Sequence, residues 1–228
     1  MKVTFGMNEL DAFLDGFEPG YFTTFYGSRF GYYLSKLLCV RAQLPQEHNG
    51  LDSKVVFIDG GNSFDPYVVS AIAQQHGLDP QGVLEKIFIS RAFTAYQLTS
   101  LVFEKLNEAL EKSESKVVVI SDIISLFLDR DVPKTESKDI FNRLATYLAR
   151  LALDKQLLIL ATHYPRWESK RSIFLEAMLL GRSDIVIRLA ERYGAVKLGI
   201  VKHPYLEPKE FLFHFNGNRL TLKDFIEV

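Results

Sequence analysis

Residues 54–93 read KVVFIDGGNSFDPYVVSAIAQQHGLDPQGVLEKIFISRAF, and the spacing of apolar residues along them decides the fold. Two short apolar runs, Val55 to Asp59 and Lys86 to Ser90, have the length of buried strands. Between them Tyr67 to His76 is amphipathic at helical spacing, and Gly77 to Pro80 interrupts it as a loop. A strand, a helix and a second strand in that order make a crossover between parallel neighbours.

The same alternation continues on both sides. Tyr21 to Tyr26, Lys116 to Ser121 and Leu157 to Thr162 read as further buried strands, and Leu34 to Ala42, Tyr96 to Leu110 and Lys138 to Leu153 as crossover helices. The pattern predicts an α/β protein with a mostly parallel central sheet flanked by helices. After Arg182 it changes to strand-like runs, Asp184 to Leu189, Ala195 to Lys202 and Glu210 to Phe215, separated at Tyr193-Gly194, His203-Pro204 and Asn216-Gly217. Such tight connections predict antiparallel strands extending the sheet. Gln46 to Ser53 is a loop, no composition shift marks a linker, and one domain over 1–228 is expected.

The 228 residues are 47% hydrophobic and 24% charged, an ordinary globular composition that argues against extensive disorder. A formal net charge of -1 supplies no overall attraction to nucleic acid, so any DNA-binding surface must be a local patch. The single Cys39 excludes an intrachain disulfide, and the five His show no metal-ligand spacing. Acidic residues interrupt the N-terminal segment where a secretory signal needs an apolar run, and no stretch reaches membrane-spanning length. A cytoplasmic protein without membrane contact is the expectation.

Residues 21–42 have the frame of a mononucleotide site: a strand, a Gly-containing loop and a helix. The loop, Gly27-Ser28-Arg29-Phe30-Gly31-Tyr32-Tyr33, does not carry G-x-x-x-x-G-K-[ST]. It is too short, and Tyr32 and Tyr33 stand where Lys and Ser/Thr belong. The missing Lys neutralises phosphates and the missing hydroxyl coordinates Mg²⁺, so both main sources of charge stabilisation for phosphoryl transfer are gone. Arg29, or Lys36 one turn further on, offers a substitute cation; a loop Arg and a solvated helix Lys are the alternative readings.

Motifs along the chain resemble the RecA/RadA recombinase family. Gly6, Leu10, Asp11, Leu14, Gly16 and Gly20 follow the family's G-x-x-x-L-D-x-L-L-x-G-G-x-x-x-G opening. The 54–93 stretch resembles the strand ending I-D-T-E, the helix start, G-L-D-P and the I-x-x-x-R-A strand. KVVVISDIISLF (116–127) resembles the Walker B strand, and VKHPYLEPKEFLFHF (201–215) the C-terminal strand pair. The resemblance implies a RecA-like P-loop NTPase fold consisting of the core domain alone. By position, Asp122 corresponds to the Walker B Asp that holds Mg²⁺, with a strand-end cap as its plain structural alternative. The catalytic Glu corresponds to Gly61, which has no base to offer. The polar sensor T-N-Q reads Thr162-His163-Tyr164.

The loop, the general base and the sensor are thus altered together. This implies a pseudo-ATPase with no catalytic residues and no cofactor, in which Gly27, Arg29, Gly31 and Asp122 are remnants of the ATP/Mg²⁺ site. The helix N-terminus beside the loop remains a place where an anion could be held without turnover.

In the same family two loops hold single-stranded DNA, here corresponding to 128–138 and 164–182. The first, LDRDVPKTESK, mixes both signs of charge and is the weaker candidate. The second concentrates Arg166, Trp167, Lys170 and Arg171, combining phosphate-tracking cations with an aromatic face for stacking. Its structural alternative is a solvated loop whose Trp packs on the core. Ser172 to Leu180 reads as a short apolar helix suited to docking a partner. The resemblance implies an accessory role in DNA recombination or repair, with single-stranded DNA and a RadA-like recombinase or a second copy as partners. An ATPase with a non-standard loop and a structural subunit of a heteromeric assembly remain the alternatives.

Overall fold

Alternating residues of the central strands pack into two separate cores, one on each face of a single eight-stranded sheet. The computed structural model describes residues 1–166, 169–192 and 194–214. After α1 (Asn8–Leu14) come β1 (Phe22–Tyr26), α2 (Phe30–Arg41), β2 (Val55–Asp59), α3 (Pro66–Gln75), α4 (Pro80–Glu85) and β3 (Ile87–Arg91). The chain continues through α5 (Ala95–Ser100), a π-helical turn at Leu101–Lys105, α6 (Leu106–Ser113), β4 (Val117–Ser121) and α7 (Lys134–Lys155). It then runs through β5 (Leu158–His163), α8 (Lys170–Arg182), β6 (Ile185–Arg192), β7 (Ala195–Lys202) and β8 (Lys209–His214).

The strand order is β3-β2-β4-β5-β1-β6-β7-β8. All neighbours from β3 to β6 pair in parallel, and β7 and β8 add antiparallel strands, as the change of pattern after Arg182 predicts. Val55, Phe57, Val117, Val119, Leu158 and Leu160 face α1 to α4. Their neighbours Val56, Ile58, Val118, Ile120 and Ile159 face α5 to α8. Helices on both faces bury the central strands completely, which is why those runs are continuously apolar. This is a RecA-like fold.

Two helix starts are set by the same local chemistry. Asp65 accepts from the backbone N–H of Tyr67 at 2.8 Å and Asp79 from that of Gly82 at 2.8 Å, each followed by Pro at the first helical position.

Other helix starts differ from the sequence reading. The helix expected from Leu34 begins at Phe30, so Gly31, Tyr32 and Tyr33 are helical and the loop is only Gly27 to Arg29. The helix expected from Lys138 begins at Lys134, and the one expected from Ser172 begins at Lys170. The two loops matched to DNA contacts are correspondingly shorter than expected. Tyr96 to Leu110, expected as one helix, is interrupted by the π-helical turn. Phe215 and the Asn216-Gly217 turn lie outside the described residues.

Candidate functional site

The ends of β1, β4 and β5 and the start of α2 meet where a P-loop protein holds its nucleotide. Gly27 leaves β1 at φ +104°, donates its N–H to the His163 carbonyl at 3.1 Å, and lies against β6. A Cβ there would stand 2.5 Å from the Leu189 carbonyl oxygen, so position 27 requires glycine for space as well as for φ. Gly31 sits in the first turn of α2, where its N–H bonds the Ser28 carbonyl at 3.2 Å. Arg29 places its guanidinium 5.3 Å from the centre of the Tyr164 ring. Lys36 is 5% exposed, donates to the Tyr32 carbonyl at 3.2 Å, and is driven down to about 8 by burial.

Asp122 follows β4 in a left-handed conformation, φ 50°, fully buried. Its N–H bonds Thr162 Oγ1 at 3.0 Å, which anchors the turn to β5. Arg166 Nη2 lies 3.7 Å from Asp122 Oδ2, and His163 Nδ1 lies 3.8 Å from Oδ1. On its other side His163 Nε2 is 3.2 Å from Glu176 Oε2 on α8. Burial lowers the His163 pKa, but the Asp122 and Glu176 carboxylates outweigh it, so the imidazolium is held above its ordinary value. The buried Tyr32 hydroxyl faces the same group; burial and then the Asp122 charge push its ionisation far up. Neither Asp122 oxygen, neither His163 nitrogen nor the Tyr32 hydroxyl makes a hydrogen bond of normal geometry, so the cluster is held by charge proximity. Gly61 adjoins it: a Cβ at 61 would stand 2.6 Å from Asp122 Cβ.

A second feature lies where the 129–133 segment meets the starts of α7 and α8. Arg130, Lys134, Lys138, Lys170 and Arg171 line a cleft of about 850 Å³ with no acidic side chain among the described lining residues. The balance of charge along 128–138 had made that segment the weaker candidate, and helix geometry changes the result. Lys134 and Lys138 are four residues apart and share one face of α7, while Glu136 interacts with Tyr96 elsewhere. Asp129 is exposed; its Oδ1 accepts the Asp131 N–H at 3.0 Å, and its charge acts on Arg171 at the cleft edge. Arg171 ties the cleft together, donating to Ser137 Oγ and to the Asp129 carbonyl, each at 3.1 Å.

The sequence-derived residues therefore separate into two groups. Gly27, Arg29, Gly31, Asp122 and Arg166 gather where a P-loop protein holds its nucleotide; Lys170 and Arg171 belong to the basic cleft. Trp167 lies outside the described residues. Tyr32 and Glu176 as neighbours of the Asp122 cluster, and Glu191 of β6 beside Ser28, were not read from the sequence. Their only signals are long-range pairings that local periodicity does not carry.

Among the described residues no helix is long and apolar enough to cross a membrane. A family model described as Rad51 matches residues 1–163. The chain is 33% identical over 159 residues to the meiotic recombination protein DMC1 homolog of Arabidopsis thaliana, covering 66% of this chain and 44% of that protein. It is 31% identical over 159 residues to the corresponding homolog of Glycine max, with the same coverage. To the meiotic recombination protein DMC1 of Saccharomyces cerevisiae it is 32% identical over 128 residues, 54% of this chain and 37% of that protein. The matched stretch thus spans less than half the length of these relatives. The matched model over most of the chain, together with the sheet order and the motif series, establishes that the chain belongs to the Rad51 family.

Proposed function

We propose that this protein is a non-hydrolysing accessory of DNA recombination or repair that holds single-stranded DNA in the basic cleft between the starts of α7 and α8. The observation that carries this is the convergence of Arg130, Lys134, Lys138, Lys170 and Arg171 on one cleft from two separate segments. Cations placed this way track successive phosphates and release counterions on binding. A chain of net charge -1 otherwise gives DNA no reason to approach.

ATP with Mg²⁺ does not fit the residues present. Asp122 already has Arg166 and His163 beside it, and the buried Tyr32 hydroxyl, at the position of the missing Lys, faces the same carboxylate. The substitute cations are engaged elsewhere, Lys36 at the Tyr32 carbonyl and Arg29 over Tyr164. The three-residue loop Gly27 to Arg29 is too short to wrap a phosphate. Calorimetry with ATP and Mg²⁺ is expected to show no binding; micromolar affinity would overturn the non-hydrolysing reading.

The DNA reading is tested by fluorescence anisotropy with a labelled oligothymidylate. The triple variant Lys134→Ala/Lys138→Ala/Lys170→Ala is expected to bind at least about 10-fold more weakly than wild type. Its log–log salt slope should be shallower by about 0.7 per contact removed. An unchanged affinity and slope would remove the cleft from the proposal.

Exposed Ile173 and Phe174 on α8 favour a second reading, a subunit that docks a RadA-like recombinase or a second copy through this helix. Ile173→Asp separates the two, because Ile173 is exposed and does not line the cleft, whereas the Phe174 ring lies 4.1 Å from Lys138 Nζ and is left in place. Loss of association with DNA affinity retained supports docking.

A further inference from the structure

The start of α2 carries an anion, and the chain supplies it. Glu191 Oε1, from the end of β6, accepts the Ser28 hydroxyl proton in a short hydrogen bond and the Phe30 N–H at 3.2 Å. Ser28 is buried, and its Oγ also accepts from Phe30 N at 3.0 Å, so hydroxyl and carboxylate share the first free amide of the helix. α2 has no acidic residue in its first turn and no cap from the side chain of Arg29. The carboxylate comes instead from a residue more than 160 positions away.

We infer that Glu191 is an internal substitute for a phosphate: it occupies the anion position at the α2 N-terminus and excludes phosphate-bearing ligands from it. The placement has the elements of a helix-terminus anion site, namely the Phe30 amide, the Ser28 hydroxyl and the positive end of the helix dipole. A phosphate approaching the Phe30 amide meets a carboxylate already hydrogen-bonded to it. Position also contributes, because β6 brings Leu189 against Gly27 two residues before Glu191, and the strand that narrows the loop delivers the carboxylate. The inference rests on the reading that the pocket holds no nucleotide, and it names the group that keeps phosphate out.

Thermal unfolding in the presence and absence of inorganic pyrophosphate tests it. Glu191→Ala is expected to melt roughly 2–4 °C below wild type, the effect of losing one helix cap in a chain of this size. Adding pyrophosphate should restore the loss, while sodium chloride at matched ionic strength should not. Wild type should not respond to pyrophosphate. Glu191→Gln keeps an acceptor oxygen and loses the charge; it should fold and show the pyrophosphate response in weaker form. Stabilisation of wild type equal to that of the alanine variant overturns the inference, as does absence of a response in both variants. Tight ATP binding by wild type would sink the non-hydrolysing reading, whereas anion-silent Glu191 variants in a protein that ignores ATP would sink only this one.

Discussion

At the scale of single residues, His163 has the clearest pH signature. It stands between carboxylates contributed by the turn after β4 and by α8, and a neutral ring would present a lone pair to one of them. Its folded pKa is raised, so its contribution to stability is complete below the unfolded value of 6.5 and is lost as pH rises through the folded value. Denaturation midpoints of wild type and His163→Gln should therefore differ most at the acid end of the native range and converge as pH increases. A difference independent of pH would show that the imidazolium contributes nothing. Lys36 has the opposite sign: burial depresses its ammonium to about 8, so at neutral pH the protein folds with a buried charge that the unfolded chain holds at lower cost. Lys36→Met should stabilise the protein by on the order of 1–2 kcal/mol in urea unfolding at neutral pH. Loss of a measurable ATPase in that variant would instead favour the enzyme with a non-standard loop. Neither environment was legible in the sequence. Lys36 reads there as a solvated helix residue, and His163 as a departure from a motif, because each depends on what other elements bring beside it.

At the scale of elements, the starts of helices divide into local and remote cases. Asp65-Pro66 and Asp79-Pro80 are local, with capping side chain and helix adjacent in the chain. α8 is local too: Ser169 accepts from the Ser172 N–H at 3.0 Å and Ser172 Oγ accepts the Ser169 N–H at 2.8 Å. Ser169→Ala should cost about 1 kcal/mol and weaken DNA binding by loosening the turn that carries Lys170 and Arg171. Unchanged unfolding in that variant would show that packing of Leu175 and Leu179 alone holds the helix. α2 is the remote case, and for that reason its start was misplaced by four residues in the sequence reading. The π-helical turn at Leu101–Lys105 likewise leaves no mark in the apolar spacing, which runs through it.

At the scale of the whole molecule, strand identity and the change from parallel to antiparallel pairing were readable, because burial on both faces demands continuous apolar runs. Strand order and the basic cleft were not, since both depend on segments far apart in sequence. The order leaves β3 at one edge, with Phe88 43% and Ile89 44% exposed on its opposite faces and Phe93 69% exposed just beyond. An uncovered apolar edge favours pairing with another chain. Sedimentation velocity of wild type should show concentration-dependent association that Ile89→Lys reduces, and identical profiles would exclude this edge as the contact.

Two glycines limit what this pocket can become. At position 61 the family's glutamate would drive its Cβ into Asp122, and any residue replacing Gly27 would strike the Leu189 carbonyl. Installing a lysine at Tyr32 would leave the loop short and Glu191 on the Phe30 amide. If hydrolysis is absent as proposed, no single substitution would restore it; several would have to arrive together, with a lengthened loop and a displaced strand end. On the proposed non-hydrolysing reading, selection acting one step at a time can refine this protein for binding but has no graded route back to turnover.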